Sequence, residues 1–253
     1  MISKAKISLV RRLETKKHRD AHRLFVAEGN RLVADMLPAF DCEWMIATSS
    51  WIATQGDIRA AQVVEAGEDD IRRISLMKTP QDVLALFRLP AYDIDEVDPA
   101  RRLVLLLDGI ANPGNLGTIV RLADWFGIEH VVCSPDSADV FAPKAVQATM
   151  GALAHVRVHY AELDRYLDLH PHVRVYGAFT DGCDIYTHPL DANGFVVMGN
   201  EGNGIRPAVA ARVDTRLRIP SYPPGRRTSE SLNVAVAAAV VCSEFRRRTP
   251  AVP

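Results

Sequence analysis

Long apolar runs are what these 253 residues lack first. No stretch approaches the ~20 residues of a membrane-spanning helix, and the N-terminus has no apolar core of the kind a secretory leader carries. A cytoplasmic protein with no membrane partner is the expectation. Cysteine is scarce as well. Cys42, Cys133, Cys183 and Cys242 lie far apart, with no CxxC pair and no histidine at finger spacing, which argues against a disulfide framework and a zinc finger. Reduced thiols and no structural metal follow. Phosphate-binding glycine signatures are also missing. Gly109, Gly114 and Gly117 lack the GxGxxG spacing, and GxxxxGK followed by Ser or Thr does not occur, so a nucleotide-dependent oxidoreductase loses its main support. Charge of one sign is not in excess either, at a formal net of −1.

The distribution of that charge is more informative than its sum. Residues 1–23 hold Lys4, Lys6, Arg11, Arg12, Lys16, Lys17, Arg19 and Arg23 against Glu14 and Asp20, a local net of +6. A basic helical arm with Ile7, Leu9, Val10 and Leu13 on its apolar side suits a polyanion contacted through its phosphates, and a solvated helix face would carry the same charge. Beyond it, Phe25-Val26-Ala27-Glu28-Gly29 reads as a strand and residues 30–37 as a helix stopped by Pro38. Short strands and helices alternate from there to residue 89, with residues 83–89 readable as either. Residues 90–99 are acidic and bounded by prolines, and a linker is placed there. Two domains result, residues 1–95 and 96–253.

The second domain is organised around residues 103–132. An unbroken apolar run, residues 103–107, reads as a parallel strand covered on both faces and stops at Asp108-Gly109. A Pro- and Gly-containing turn follows, then a helix with Ile119, Leu122, Ala123 and Phe126 at helical spacing, then a strand over residues 128–133. The same β/α rhythm continues to the end, predicting an α/β fold with a mostly parallel sheet, whose ligands bind beyond the carboxyl ends of the strands. Three loops occupy that position: residues 112–121, 199–204 and 219–233. In the first, Arg121 is long enough to reach back toward Asn115, although a surface arginine and a helix-capping asparagine would look the same. In the second, Glu201 sits between glycines and calls for a cation, with Arg121 the candidate. In the third, Thr228, Ser229 and Ser231 offer caps to an apolar helix over residues 232–245, and Asn233 falls in its first turn, where asparagine is a poor helix former.

The sequence resembles the SpoU/TrmH branch of the SPOUT superfamily, the ribose 2′-O-methyltransferases of tRNA and rRNA. Three motifs carry the likeness in the family's order: Asn112-Pro113-Gly114-Asn115-Leu116-Gly117-Thr118-Ile119-Val120-Arg121, then Gly199-Asn200-Glu201-Gly202-Asn203-Gly204, then Ile219-Pro220 with Ser231-Leu232-Asn233-Val234-Ala235. More weakly, the basic arm, residues 25–29 and Lys78-Thr79-Pro80-Gln81 resemble the ribosomal-protein-like RNA-binding domain that precedes many members. The resemblance implies a SPOUT catalytic domain with a C-terminal trefoil knot, a homodimer, RNA as substrate and S-adenosylmethionine as cofactor. By position it assigns Asn115, Arg121, Glu201, Ser231 and Asn233 to catalysis. Gly199, Ile219 and Leu232 would hold the cofactor largely through backbone, with Thr180 lining the same pocket. Arg121 is either a proton acceptor or a fixed cation that stabilises the developing alkoxide; a guanidinium ordinarily keeps its proton. Two departures stand out. The loop between Pro220 and Ser231 is longer than is typical, with Ser221 where methionine is common, and Gln147 and Thr149 replace an arginine and a serine often seen. A non-catalytic RNA-binding or ribosome-assembly protein of the same fold is the alternative.

Overall fold

The computed structural model describes residues 2–248 apart from 225, 227 and 228, and the chain folds as two units. The first comprises Met1–Ala91 and Asp139–His155, the second Tyr92–Ala138 and Val156–Pro253.

The basic arm is two helices, α1 (Lys4–Arg12) and α2 (Lys16–His22), rather than one. Ser3 caps α1 by accepting from the Lys6 N–H at 3.3 Å. Arg19 explains the break between them: its guanidinium is buried and donates to the carbonyls of Leu13 and Glu14 at 2.7 and 2.8 Å, satisfying groups that continued helix would have used. Asp139 balances its charge at 2.7 Å. Then come β1 (Leu24–Glu28), α3 (Asn30–Met36), β2 (Cys42–Ala47), α4 (Ser49–Thr54), β3 (Ala60–Glu65), α5 (Glu68–Ile74) and β4 (Val83–Arg88), so the ambiguous run at 83–89 is a strand. The described sheet runs β1-β4-β2-β3, with β2 and β3 parallel and the other pairs antiparallel. Alternation sorts its faces. Val26, Ile46, Leu84 and Leu86 pack with Val10 and Leu13 of the arm and Ile71 and Ile74 of α5. Phe25 and Phe87 point the other way, where Phe25 meets the rings of Phe40 and Phe141 at 5.4 and 4.9 Å.

In the second unit the chain runs β5 (Leu103–Asp108), α6 (Pro113–Trp125) and β6 (His130–Cys133). Helix α7 (Pro143–Thr149) belongs to the first unit, and β7 (Arg157–Tyr160) returns to the second. After it come α8 (Leu163–Asp168), β8 (Val175–Asp184), β9 (Gly194–Gly199), α9 (Pro207–Ala210), β10 (Thr215–Arg218) and α10 (Val234–Arg248). Among the described residues the sheet has the order β10-β8-β9-β5-β6-β7, and every pair in it is parallel. Its central strands β5, β6 and β9 are buried on both faces, as the unbroken apolar runs predict. Val104, Leu106, Phe195 and Val197 pack on one side with Leu163, Leu167 and Val209 of α8 and α9, while α6 and α10 contact β6 and β9. The acidic stretch at 90–99 is not a bare linker, because Val97 is buried in this core with Ile94 against it.

Candidate active site at the strand ends

Register brings the predicted cofactor residues to one edge. Asp108 pairs with Gly199 at the ends of β5 and β9. Gly177 pairs with Val197, so Thr180 lies just past the level of Gly199. Between Arg216 and Leu217 the register of β10 jumps from Gly177 to Cys183, so residues 178–182 of β8, Thr180 among them, form a bulge with no β10 partner in register. Strand β8 runs on through the bulge to Asp184. Ile219 follows β10 directly. Thr180, Gly199 and Ile219 therefore share the carboxyl edge, next to the central β5, where strand order reverses and ligands bind in parallel sheets.

The loop after β5 begins with Asn112. Its Oδ1 accepts from the N–H groups of Gly114 and Asn115 at 2.8 and 3.4 Å, and Pro113 takes the first helical position of α6. The cap is thus Asn112, not Asn115, which frees the Asn115 amide for other work. That amide sits at the centre of the site. Its Nδ2 donates to Glu201 Oε1, and its Oδ1 accepts from Asn233 Nδ2 at 3.3 Å. One residue from each of the three loops is so joined in a chain, Glu201 to Asn115 to Asn233.

Asn233 was expected inside the first turn of the last helix, with a serine capping it. It is itself the cap: Oδ1 accepts from Ala235 N–H at 3.0 Å and Val236 N–H at 3.3 Å. The poor helix former therefore stands where it is favoured. Ser231 and Leu232 are exposed just before it. Thr228, another expected cap group, lies outside the described residues. Arg121 is exposed on α6 and makes no side-chain hydrogen bond or ion pair among the described residues. The expected Glu201–Arg121 pair does not form, since Asn115 takes the carboxylate instead.

Three positioning groups escaped the sequence reading. Asn200 accepts from Gly202 and Asn203 N–H at 2.8 and 3.1 Å and donates to the Gly109 carbonyl at 2.7 Å, tying the glycine loop to the root of the first loop. Asp108, its side chain fully buried, accepts from Arg206 N–H and Nε, both at 2.7 Å. Arg206 also faces Asp136 at 3.4 Å. The Ser134 hydroxyl, and then Arg206, hold the Asp136 carboxyl below the usual range. An acid closing an apolar run was a legible signal for Asp108; nothing in the spacing announced Arg206. Gly199 is glycine for a steric reason, as a Cβ there would lie 2.4 Å from the backbone of Gly204 and Ile205.

At this edge Thr180 offers a hydroxyl and Gly199 and Ile219 offer backbone groups, and none of the three side chains carries charge.

The chain matches the SpoU rRNA Methylase family over residues 102–243 and the MRM3-like substrate binding domain over residues 4–85. It is 32% identical over 240 residues to a Bacillus subtilis protein named 23S rRNA (guanosine(2553)-2'-O)-methyltransferase, covering 93% of this chain and 94% of that one. A TrmH-family structure from Porphyromonas gingivalis superposes with a TM-score of 0.89 at 43% identity, over 98% of this chain and all of that one. The AdoMet-bound rRNA methyltransferase of Sinorhizobium meliloti superposes at 0.83 with 28% identity, over 98% of this chain and 96% of that one.

Proposed function

The chain belongs to the SpoU rRNA methylase family, and from that premise we propose that it transfers the methyl group of S-adenosylmethionine to a ribose 2′-hydroxyl of ribosomal RNA. The carrying observation is the chain of bonds from Glu201 through Asn115 to Asn233 at the carboxyl edge of a parallel sheet.

When bound, the cofactor supplies an electrophilic methyl on a sulfonium. Gly199, Ile219 and Leu232 would hold it through backbone groups, with Thr180 beside them. The chain's own task is to orient a hydroxyl that loses its proton as the new bond forms. Glu201 fixes the Asn115 amide, and Asn115, Asn233 and Ser231 orient the ribose. Arg121, a guanidinium with no carboxylate on it among the described residues, stabilises the alkoxide. Because guanidinium keeps its proton, Arg121 acts here as a fixed cation and the proton passes to solvent. Arg121→Ala is expected to lower kcat by at least ~100-fold while leaving the calorimetric affinity for S-adenosylmethionine within about threefold, as for the loss of an oxyanion-type contact. Unchanged turnover would refute the assignment.

Within the same reading, residues 1–95 form the RNA substrate-binding domain, with Asp139–His155 folded into the same unit, and the rest of 96–253 is the catalytic domain, with the family's trefoil knot in its C-terminal part. The protein works in the cytoplasm as a homodimer. Deleting residues 1–95 should weaken RNA binding far more than cofactor binding; equal loss of both would contradict the division.

A further inference from the structure

Helices α1 and α2 frame a groove of about 530 Å³ on the first unit. Lys4, Ser8, Arg11, Arg12, Thr15 and His18 line it over a floor at Ile7, and no acidic side chain does. The fold sorts the arm's cations into two classes. Arg19 is turned inward onto Asp139, and Lys6 is bound to Gln62 at 3.0 Å with its ammonium 4.4 Å from the Trp44 ring centroid. Arg19 is thereby spent within the fold, and Lys6 is held outside the groove lining. Lys4 and Arg12 make no side-chain hydrogen bond or ion pair among the described residues, and Arg11 reaches only the neutral Arg73 carbonyl at 3.4 Å. Three positive charges therefore face solvent uncompensated along one side of α1, flanked by the hydroxyls of Ser8 and Thr15.

Spacing decides what fits. Lys4 and Arg11 are two turns apart, so at ~1.5 Å per residue the cations span about 11 Å, and a nucleic acid strand presents about three phosphates over that length. A compact anion would engage one end only. From this geometry we propose that the α1–α2 groove is a docking track for the sugar-phosphate backbone of the RNA substrate, read by charge and hydroxyls without regard to base. The proposal rests on the RNA methyltransferase reading. It narrows recognition within the first domain to one face, and it removes Arg19 and Lys6 from the contact surface.

The test titrates the full-length protein with a labelled single-stranded RNA of about twelve nucleotides at salt concentrations from about 50 to 300 mM. A groove variant, Lys4→Gln with Arg11→Gln and Arg12→Gln, is compared with one of equal charge off the groove, Lys17→Gln with Arg23→Gln and Arg59→Gln. All six side chains are exposed, so both variants should keep the native circular dichroism. The groove variant is expected to flatten the slope of log affinity against log salt by about 2, at about 0.7 per phosphate lost. The off-groove variant should leave it within about 0.5 of wild type, on the same scale. Equal flattening in both would reduce the effect to net charge and overturn the proposal, as would no flattening in either. Titration with S-adenosylmethionine separates the two levels. A protein that binds the cofactor but shows no slope difference keeps its activity assignment and loses the groove; one that binds no cofactor loses the assignment, whatever the slopes.

Discussion

Asn200 uses every polar atom it has: the side-chain oxygen holds Gly202 and Asn203, the side-chain nitrogen holds Gly109, and the backbone exchanges bonds with Gly204 at 3.0 and 2.9 Å. Asn200→Asp keeps the acceptor and sets a carboxylate against the Gly109 carbonyl, so the loop closes but no longer seats on β5. Glu201 then loses its aim at Asn115. We expect kcat to fall about 10- to 100-fold, the scale of a misplacement near 1 Å, with the protein folded. Wild-type kcat in that variant would mean that Glu201 is placed by something else. Tyr166 is the opposite case, a hydroxyl that is a liability. It is buried without a hydrogen-bond partner among the described residues, and burial pushes its pKa up to about 12. Removing it in Tyr166→Phe should stabilise by about 1 kcal/mol, read as a Tm higher by about 2–4 °C; a lower Tm would reveal a partner for that oxygen. Residue identity was more legible than residue bonding. The motifs placed Asn115, Glu201 and Asn233 at one edge, but spacing does not say which donor meets which acceptor, so the pair assigned to Glu201 and Arg121 went instead to Glu201 and Asn115.

Elements were legible where periodicity was strong, as in β5 and β9, and misjudged where a single side chain decides. The arm looked continuous because nothing local marks Arg19 as buried; the partner that draws it in, Asp139, lies 120 positions away. The last residues of β8, past its bulge, are paired only through β10, which nothing in their own sequence announces. The neighbouring strands β6 and β7 carry a pair that no pattern suggested. His130 Nδ1 lies 3.1 Å from His159 Nε2 with the rings stacked, and both are buried. Burial, and then the neighbouring His130, lower the His159 pKa from 6.5 to about 4, and burial lowers His130 as well. In the unfolded chain both titrate near 6.5. The folded state thus resists protons that the unfolded state accepts, and stability is complete above about pH 6.5 and drains away as pH falls toward about 4, by up to about 3 kcal/mol for His159 alone. Urea unfolding at about pH 7.5 and pH 4.5 should record that loss, and His159→Leu should shrink it. An unchanged pH dependence in the variant would place the loss elsewhere.

For the molecule as a whole, the telling feature is apolar surface that one chain leaves uncovered. Helices α6 and α10 run side by side in the same direction, Asn115 meeting Asn233 at one end and Arg246 donating to the Phe126 and Gly127 carbonyls at 2.6 and 3.0 Å at the other. Inward faces account for their burial, but Trp125 is 84% exposed and Val236 52%. A tryptophan so placed is costly in water and common at protein interfaces. Trp125 also lies one turn beyond Arg121 on α6, so the two side chains share a face. A second copy seated on that face would cover the tryptophan and bring new groups to the Arg121 guanidinium, which has no carboxylate on it among the described residues, and would so tie assembly to catalysis through a single surface. If that face is the seam of the proposed homodimer, Trp125→Glu should shift the sedimentation mass from dimer toward monomer at micromolar concentration. It should also cost at least ~10-fold in kcat, since Arg121 would lose the surroundings that fix it. A variant that remains dimeric with full activity would place the interface elsewhere, and a monomeric variant with full activity would separate assembly from chemistry.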